Sequence, residues 1–548
     1  MASAQTIAVW LAVLTLLFKP LRGLYRLFIA PNFSPLRNVP GPSRPSWLYG
    51  NVKESRKLTR AVAQKQWIQG YGSIFTTWSF FGSQRLFLAD SRGIGHVISN
   101  PMDYYKPQLG RYIAGQLVGD GILTVEGTEH KRQRRVLNPA FGFAQIRELL
   151  PIFLEKSAEL RDAWKGRIVE NGSSRTVVDV LDSLQLITLD IIGLAGFGFS
   201  FDALNPRDDS DTKEFTDALR ILTDGEAPGV MTVLQGLLPV LRVIPTPRTR
   251  RVAKARAVLN RVGGKLIEER RRSVLGDIAQ GSVKREDVQG KDILSLLVRA
   301  NLATDLPAQS RLSDEDMLAQ IPTLLVAGHE TTSSAVTWGL HSLSNSQAIQ
   351  DKLRAELREC INAHGPAPPV DALNGLPYLD MFVREVMRLH CPVGASTRVA
   401  MKDDFIPTDH EWIDVHGVKR SGVPVVQGDT IFMPIDVLNT SVSIWGEDAE
   451  CFRPERWENP PDAAQAIPGV WGNSLSFLGG PRACIGYRFS LLEMKALFFI
   501  LVAALRFENA VDPEIVMRVP MVVTRPFIRG EEGKTSRLPM YVSFADDQ

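Results

Sequence analysis

The sequence predicts a mainly α-helical domain with a small β portion, preceded by an apolar N-terminal helix. Three features point that way. From about Phe141 onward, apolar residues recur with helical spacing over most of the chain. Within residues 74–100, apolar and polar side chains alternate as they do in strands. An uncharged, largely apolar run opens the chain. With 548 residues, 44% of them hydrophobic and 22% charged, the chain can bury a large core. No interior stretch reads as a linker, so residues 31–548 are expected to form one domain behind an anchor at 1–30.

Between Ala2 and Phe18 no charge occurs, a run of about 17 residues and the short limit for a spanning helix. Lys19, Arg22 and Arg26 follow it, and positive charge after the run places the rest of the chain in the cytosol. A cleaved signal would carry its charge before the run. Leu21 to Ala30 can add an interfacial segment. Pro31, Pro35, Pro40, Pro42 and Pro45 then stop any helix and give a stiff hinge over 31–46. Two short strands are expected around Ile74–Trp78 and Arg85–Ala89, joined through Gly82-Ser83.

Further along, His130 and Arg134 stand one helical turn apart in a basic cluster that also holds Lys131, Arg132 and Arg135. Leu184–Gly196 and Val258–Arg272 read as helices. A long apolar helix begins near Ser313-Asp314-Glu315-Asp316, a good N-cap region, and contains Ala327-Gly328-His329-Glu330-Thr331-Thr332. Glycine and a carboxylate both cost stability inside such a helix. Gly328 is read as opening space for a ligand, and Thr331 as bonding back to the Ala327 carbonyl and bending the helix. On the amphipathic helix Tyr378–His390, Glu385 and Arg388 are paired at i,i+3.

The stretch with most chemical character is Phe477 to Gly486. Gly479 and Gly480 permit unusual backbone angles, Pro481 stiffens the turn, and a long apolar helix follows from Tyr487. Cys484, at that helix N-terminus and near Arg482, is expected to ionise easily and to act as a soft metal ligand. The other cysteines, Cys360, Cys391 and Cys451, form neither a zinc pattern nor a disulfide framework, which fits a reducing, cytosol-facing location. A net charge of +3 argues against a nucleic-acid binder.

Residues 477–486 carry F-x-x-G-x-R-x-C-x-G at every fixed position. On that stretch the chain resembles the cytochrome P-450 family of haem-thiolate monooxygenases, microsomal type, most like those of filamentous fungi and especially basidiomycetes. The resemblance implies haem b held between the Ala327 helix and the Cys484 loop, with Cys484 as axial ligand of the iron. It gives Phe477, Arg482 and Gly486 to the cofactor cradle, and Arg134 and Arg398 to the propionates. His130 stands where the family usually has tryptophan; its N–H can still donate to a carboxylate. Glu330 and Thr331 match the family's acid–threonine pair, which supplies protons for oxygen activation. Glu385 and Arg388, with Arg456 of Pro454-Glu455-Arg456-Trp457, match a clamp behind the cysteine loop, where Trp457 replaces the usual phenylalanine. Lys131, Arg132 and Arg135 are expected to face an acidic redox partner.

The resemblance further implies an NADPH-cytochrome reductase as electron donor, with cytochrome b5 as an alternative one. The expected location is the endoplasmic reticulum membrane, single-pass, with the catalytic domain in the cytosol. By the same resemblance the substrate-facing positions are Tyr112–Gly121, Ala227–Leu238, Ala327, Val393–Thr397 and Pro526-Phe527; they are largely apolar, which implies a lipophilic substrate, with a terpenoid-like scaffold from secondary metabolism preferred over fatty acids or aromatic xenobiotics. A haem-thiolate isomerase or dehydratase acting without O2, or a non-catalytic haem carrier, are the rival classes; the intact Glu330-Thr331 pair speaks for the monooxygenase.

Overall fold

The computed structural model describes residues 29, 33–51, 54, 60–205, 210–223, 229–278, 292–302, 307, 310–531 and 535–545. The expected membrane anchor, save residue 29, lies outside the described residues, as do Pro31, Ala227 and Pro228. The described chain is mostly helical with a small share of strand. Leu184–Gly196 falls within the helix Val180–Phe197, and Val258–Arg272 within Pro247–Ile278. Among the described residues, one helix is long and apolar enough to cross a membrane, Val180–Phe197. Its side chains are mostly buried inside the protein, as in a core helix.

Two compact units emerge. One comprises residues 1–114, 226–250 and 395–437, the other residues 115–225, 251–394 and 438–548. The first is built on a five-stranded sheet. In spatial order its strands are Ile74–Trp78, Gln84–Leu88, Thr430–Pro434, Ala395–Ala400 and Tyr104–Tyr105. Neighbours are antiparallel except Gln84–Leu88 with Thr430–Pro434. The hairpin at 74–88 turns through Phe81 and Gly82, both at positive φ. Phe75 stacks on Phe87 at 4.2 Å, giving the sheet its own apolar centre with Phe432. The proline-rich stretch is packed against this sheet where it is described: Thr76 N–H donates to Pro40 O at 2.8 Å, and Ser34 Oγ donates to Asp429 at 2.8 Å.

The second unit holds the long helices: α1 (Gly127–Leu137), α2 (Leu150–Glu170), α3 (Val180–Phe197), α4 (Asp314–Asn345), α5 (Pro377–Leu389) and α6 (Tyr487–Ala504). Their starts are written locally. Asp179 caps α3 by accepting from Leu181 N–H and Asp182 N–H. Ser313 and Asp316 form a reciprocal capping box on α4. Pro377 opens α5 at a position where its missing N–H costs nothing. The apolar faces then meet: α3 runs along α4, and α6 along α2. Phe498 of α6 sits edge-on to Phe382 of α5 at 4.9 Å, both fully buried. Each such ring contributes about 1.5–3 kcal/mol by leaving water. A three-stranded antiparallel sheet (Arg175–Asp179, Pro539–Phe544, Leu505–Asn509) and a hairpin (Val516–Pro520, Thr524–Ile528) complete the unit.

Candidate active site

The cysteine loop is a tight, strained turn. Leu478 and Gly480 both lie in the left-handed region, at φ 55° and 66°. Such a conformation costs a leucine roughly 1–2 kcal/mol and persists only when its surroundings fix it. Cys484 N–H closes the turn on Phe477 O at 2.8 Å, and Phe477 packs between Trp471 and Tyr487. Gly486 caps α6 at φ −91°, an angle open to any residue. A Cβ there would meet only Phe141, at 3.6 Å, so the protein's own packing does not demand glycine. Its absent side chain keeps a space beside the cysteine clear.

Cys484 retains exposed surface although protein surrounds it, so its thiol opens on an internal space rather than on the outside. This corrects one expectation. Burial pushes the thiol above its ordinary range, and the Gly486 N–H and the Arg134 charge oppose that without overcoming it. The helix terminus alone therefore does not make a thiolate here; a bound metal cation would, since it deprotonates a coordinating thiol outright.

Arg134, on α1, donates to Ala483 O at 2.5 Å, next to the cysteine. Burial pulls its guanidinium below the ordinary value, and the Cys484 sulfur works against that. His130, one turn earlier, is buried. Arg482 forms a buried ion pair with Glu126, a partner not foreseen from the sequence. Arg132 is also engaged: it pairs with Glu129 at 2.5 Å and with Asp316 at 2.7 Å. It therefore bridges α1 to the start of α4 instead of facing outward to a redox partner, leaving Lys131 and Arg135 as the exposed basic side chains of the cluster. In the first unit, Arg398 is 3% exposed and has no carboxylate partner among the described residues. Burial pulls it down to about 10.

Behind the loop stands the clamp. The Glu385 carboxylate, fully buried, accepts from Arg388 at 2.7 and 2.8 Å, from Arg453 N–H at 3.0 Å and from Trp457 Nε1 at 3.0 Å. Arg456 approaches it only to 3.5 Å and pairs more closely with Asp448, at 2.7 Å. Trp457, a departure in the sequence, thus supplies a donor that phenylalanine lacks. Trp457→Phe should lower unfolding stability by about 2 kcal/mol, the worth of a hydrogen bond to a buried charge. Urea unfolding of the purified protein checks this; an unchanged midpoint would leave the indole N–H without a stabilising part. The clamp reaches the loop through Asn439, which gave no signal in the sequence. Its carbonyl takes Arg388 Nη1 at 2.9 Å, while its side chain holds Leu475 N–H at 3.1 Å and Ser476 Oγ at 2.9 Å.

On α4, Thr331 Oγ1 donates to Ala327 O at 2.7 Å, the expected back-bond. Ala327 is exposed and Thr331 half-buried on one face of an otherwise buried stretch of helix. Gly328 has a different reason from the one expected: a Cβ there would press on Ile192 of α3 at 3.0 Å. The glycine lets two helices approach. Glu330 is 5% exposed and points into a polar cluster made by Arg525, Gln185 and His329.

These residues fit an iron porphyrin. The enclosed thiol offers one soft ligand, and beside it the half-buried Arg134 is a cation suited to a propionate. Among the described residues no group of three His, Cys, Asp or Glu side chains is placed to hold a bare metal ion.

Comparison with known proteins agrees. The cytochrome P-450 family profile matches residues 40–527. Cytochrome P-450 monooxygenase 205 of Postia placenta is 47% identical over 543 residues, covering 98% of this chain and 96% of that protein. Cytochrome P-450 monooxygenase 128 of the same fungus is 44% identical over 539 residues, covering 97% of each. A ganoderic acid synthetase of Ganoderma lucidum is 32% identical over 500 residues, 88% of this chain and 89% of that one.

Proposed function

The chain belongs to the cytochrome P-450 family, and from that premise we propose that it oxidises a lipophilic, terpenoid-like small molecule in secondary metabolism, taking electrons from an NADPH-dependent reductase at the endoplasmic reticulum membrane. It is a cytochrome P-450 monooxygenase using haem b. The substrate class draws support from a relative named for making ganoderic acid and from the apolar character of Ala327, Val393 and Phe527. The reductase is inferred from family membership, since P-450 monooxygenases generally take electrons from a redox-partner reductase.

The observation that carries the catalytic reading is the pairing of an enclosed cysteine loop with the Thr331 back-bond on α4. Haem, when bound, supplies the oxygen-activating redox chemistry. Cys484 would be its thiolate ligand, and Arg134 would hold a propionate. Thr331, its proton donated to Ala327 O, presents its hydroxyl oxygen as an acceptor on the accessible face of α4, and Glu330 stands behind it as the acid of the relay. The test is a panel of lipophilic compounds read as a haem spin-state shift, followed by mass spectrometry of products formed with NADPH and a reductase. Oxygenated products from terpenoid-like compounds support the reading; shifts confined to fatty acids or aromatics overturn the substrate class.

Thr331→Ala tests the relay separately. Haem content and substrate binding should stay near normal. Product formed per NADPH should fall about tenfold with peroxide rising to match, the scale of ~1.4 kcal/mol of lost proton positioning. Full coupling in the variant would reduce Thr331 to a helix-bending residue.

A further inference from the structure

Glu330 is less free than a proton carrier needs to be. Arg525 Nη2 donates to its Oε2 at 2.5 Å, Gln185 Nε2 donates to its Oε1 at 3.2 Å, and His329 Nε2 lies 3.4 Å from Oε1. Both oxygens are occupied in a cluster whose side chains are almost closed to solvent. We propose that Arg525 is the positioning residue that governs when Glu330 takes up a proton: its guanidinium clamps the carboxylate in ionised form beside α3, and protonation requires Arg525 to leave. This rests on the monooxygenase reading given above.

The backbone around Arg525 is fixed. Ser334 Oγ and Trp338 Nε1 of α4 both donate to Thr524 O, at 2.7 and 3.3 Å, and Thr524 N–H donates to Pro392 O at 2.8 Å. The strand carrying Arg525 is thus pinned to the helix carrying Glu330, and release is left to the side chain. The groups acting on Glu330 are few. On its own helix it meets His329, whose Nδ1 is bonded to Leu325 O at 2.7 Å. From the hairpin it meets Arg525, and from α3 the neutral Gln185 and, at the His329 carbonyl, Thr188. On α6 the buried Glu493 faces Thr332 instead. Burial would raise Glu330, but His329 and Arg525 together hold it below the ordinary carboxylate range.

The sign of the effect follows. In the native chain Glu330 contributes stability above the unfolded-state value, about 4.3, and loses it only as pH falls through the lower folded value. Without the Arg525 charge only His329 opposes burial, and the carboxyl rises. A carboxyl raised past the unfolded value costs stability as pH rises. The experiment is urea unfolding of the haem-loaded protein from pH 5 to 8 in wild type, Arg525→Gln, Arg525→Lys, Glu330→Gln and the Arg525→Gln/Glu330→Gln double variant. Arg525→Gln should lose stability with rising pH relative to the double variant, marking a raised titration. Arg525→Lys should restore the wild-type profile. With a turnover assay, the pH limb of coupling should move the same way. Parallel unfolding profiles for Arg525→Gln and the double variant would overturn the proposal. Because unfolding needs no substrate, that result is distinct from failure of the monooxygenase reading, which would show as absence of oxygenated product in wild type. Should Arg525→Gln not fold, the lysine variant and wild type against Glu330→Gln still decide: a Glu330-dependent loss of stability with rising pH in both would overturn the clamp.

Discussion

Cys484→Ser is expected to abolish the thiolate-type Soret band of the reduced carbonyl complex and all NADPH-dependent oxidation. A serine hydroxyl keeps the size of the thiol but is a hard, weakly acidic oxygen that does not replace a soft sulfur on iron. The turn itself should survive, because its closure comes from the Cys484 backbone N–H on Phe477 O. Folding and spectroscopy therefore separate: the unfolding midpoint of the haem-free protein should move little, while the carbonyl spectrum changes completely. Since burial holds the free thiol above its ordinary range, thiolate formation and metal binding are coupled. Haem uptake should accordingly release a proton in wild type and release none in Cys484→Ser, measurable in weakly buffered solution. A retained thiolate-type band in the variant would assign the ligand elsewhere.

The features legible in the sequence are those whose cause is local. The N-cap region at Ser313–Asp316, the hairpin over 74–88 and the Thr331 back-bond each span a few residues, so the pattern that encodes them is contiguous, although the hairpin turns at Phe81-Gly82 and not at the expected Gly82-Ser83. The cysteine loop was legible for the same reason, with its glycines, proline and ligand in one stretch. Features set by distant partners were not. Arg132 looked like a surface cation until Asp316, 184 residues on, came beside it. Gly328 looked like room for a ligand, but the neighbour that demands it is Ile192 on another helix. The expected ionisation of Cys484 weighed the helix end and a nearby arginine; burial, which no local pattern reveals, proved the larger influence. Arg525 sits one residue before Pro526-Phe527 in a strand with no motif, and Asn439 lies in a segment with none, so only the tertiary contacts disclose either.

The second large effect belongs to the clamp. Arg388→Ala should prevent accumulation of haem-loaded protein. Arg388 and Glu385 are both fully buried, so removing the guanidinium strands a carboxylate away from water. Breaking a buried pair in this way costs about 3–5 kcal/mol. Three further bonds go with it, to the carbonyls of Asn439, Ala449 and Cys451. A domain typically has only about 5–15 kcal/mol in total, so much of the margin is lost. Trp457 Nε1 and Arg453 N–H still reach Glu385 as neutral donors and Arg456 lies at 3.5 Å, but none of the three replaces the two-pronged Arg388 pairing or its bond to the Asn439 carbonyl. Arg388→Lys keeps the charge and loses the two-pronged geometry, so an intermediate outcome is expected. Asn439→Ala offers the finer test. It leaves the ion pair intact and removes only the bonds to Leu475 and Ser476 that precede the cysteine loop. That variant should fold, bind haem, and lose the thiolate-type carbonyl spectrum faster than wild type on mild warming. The measurements are haem-to-protein ratio, unfolding midpoint and the time course of that spectrum. Normal haem loading and an unchanged midpoint in Arg388→Ala would remove the clamp from the account of how Cys484 is presented. A wild-type time course in Asn439→Ala would remove Asn439 as the link between them.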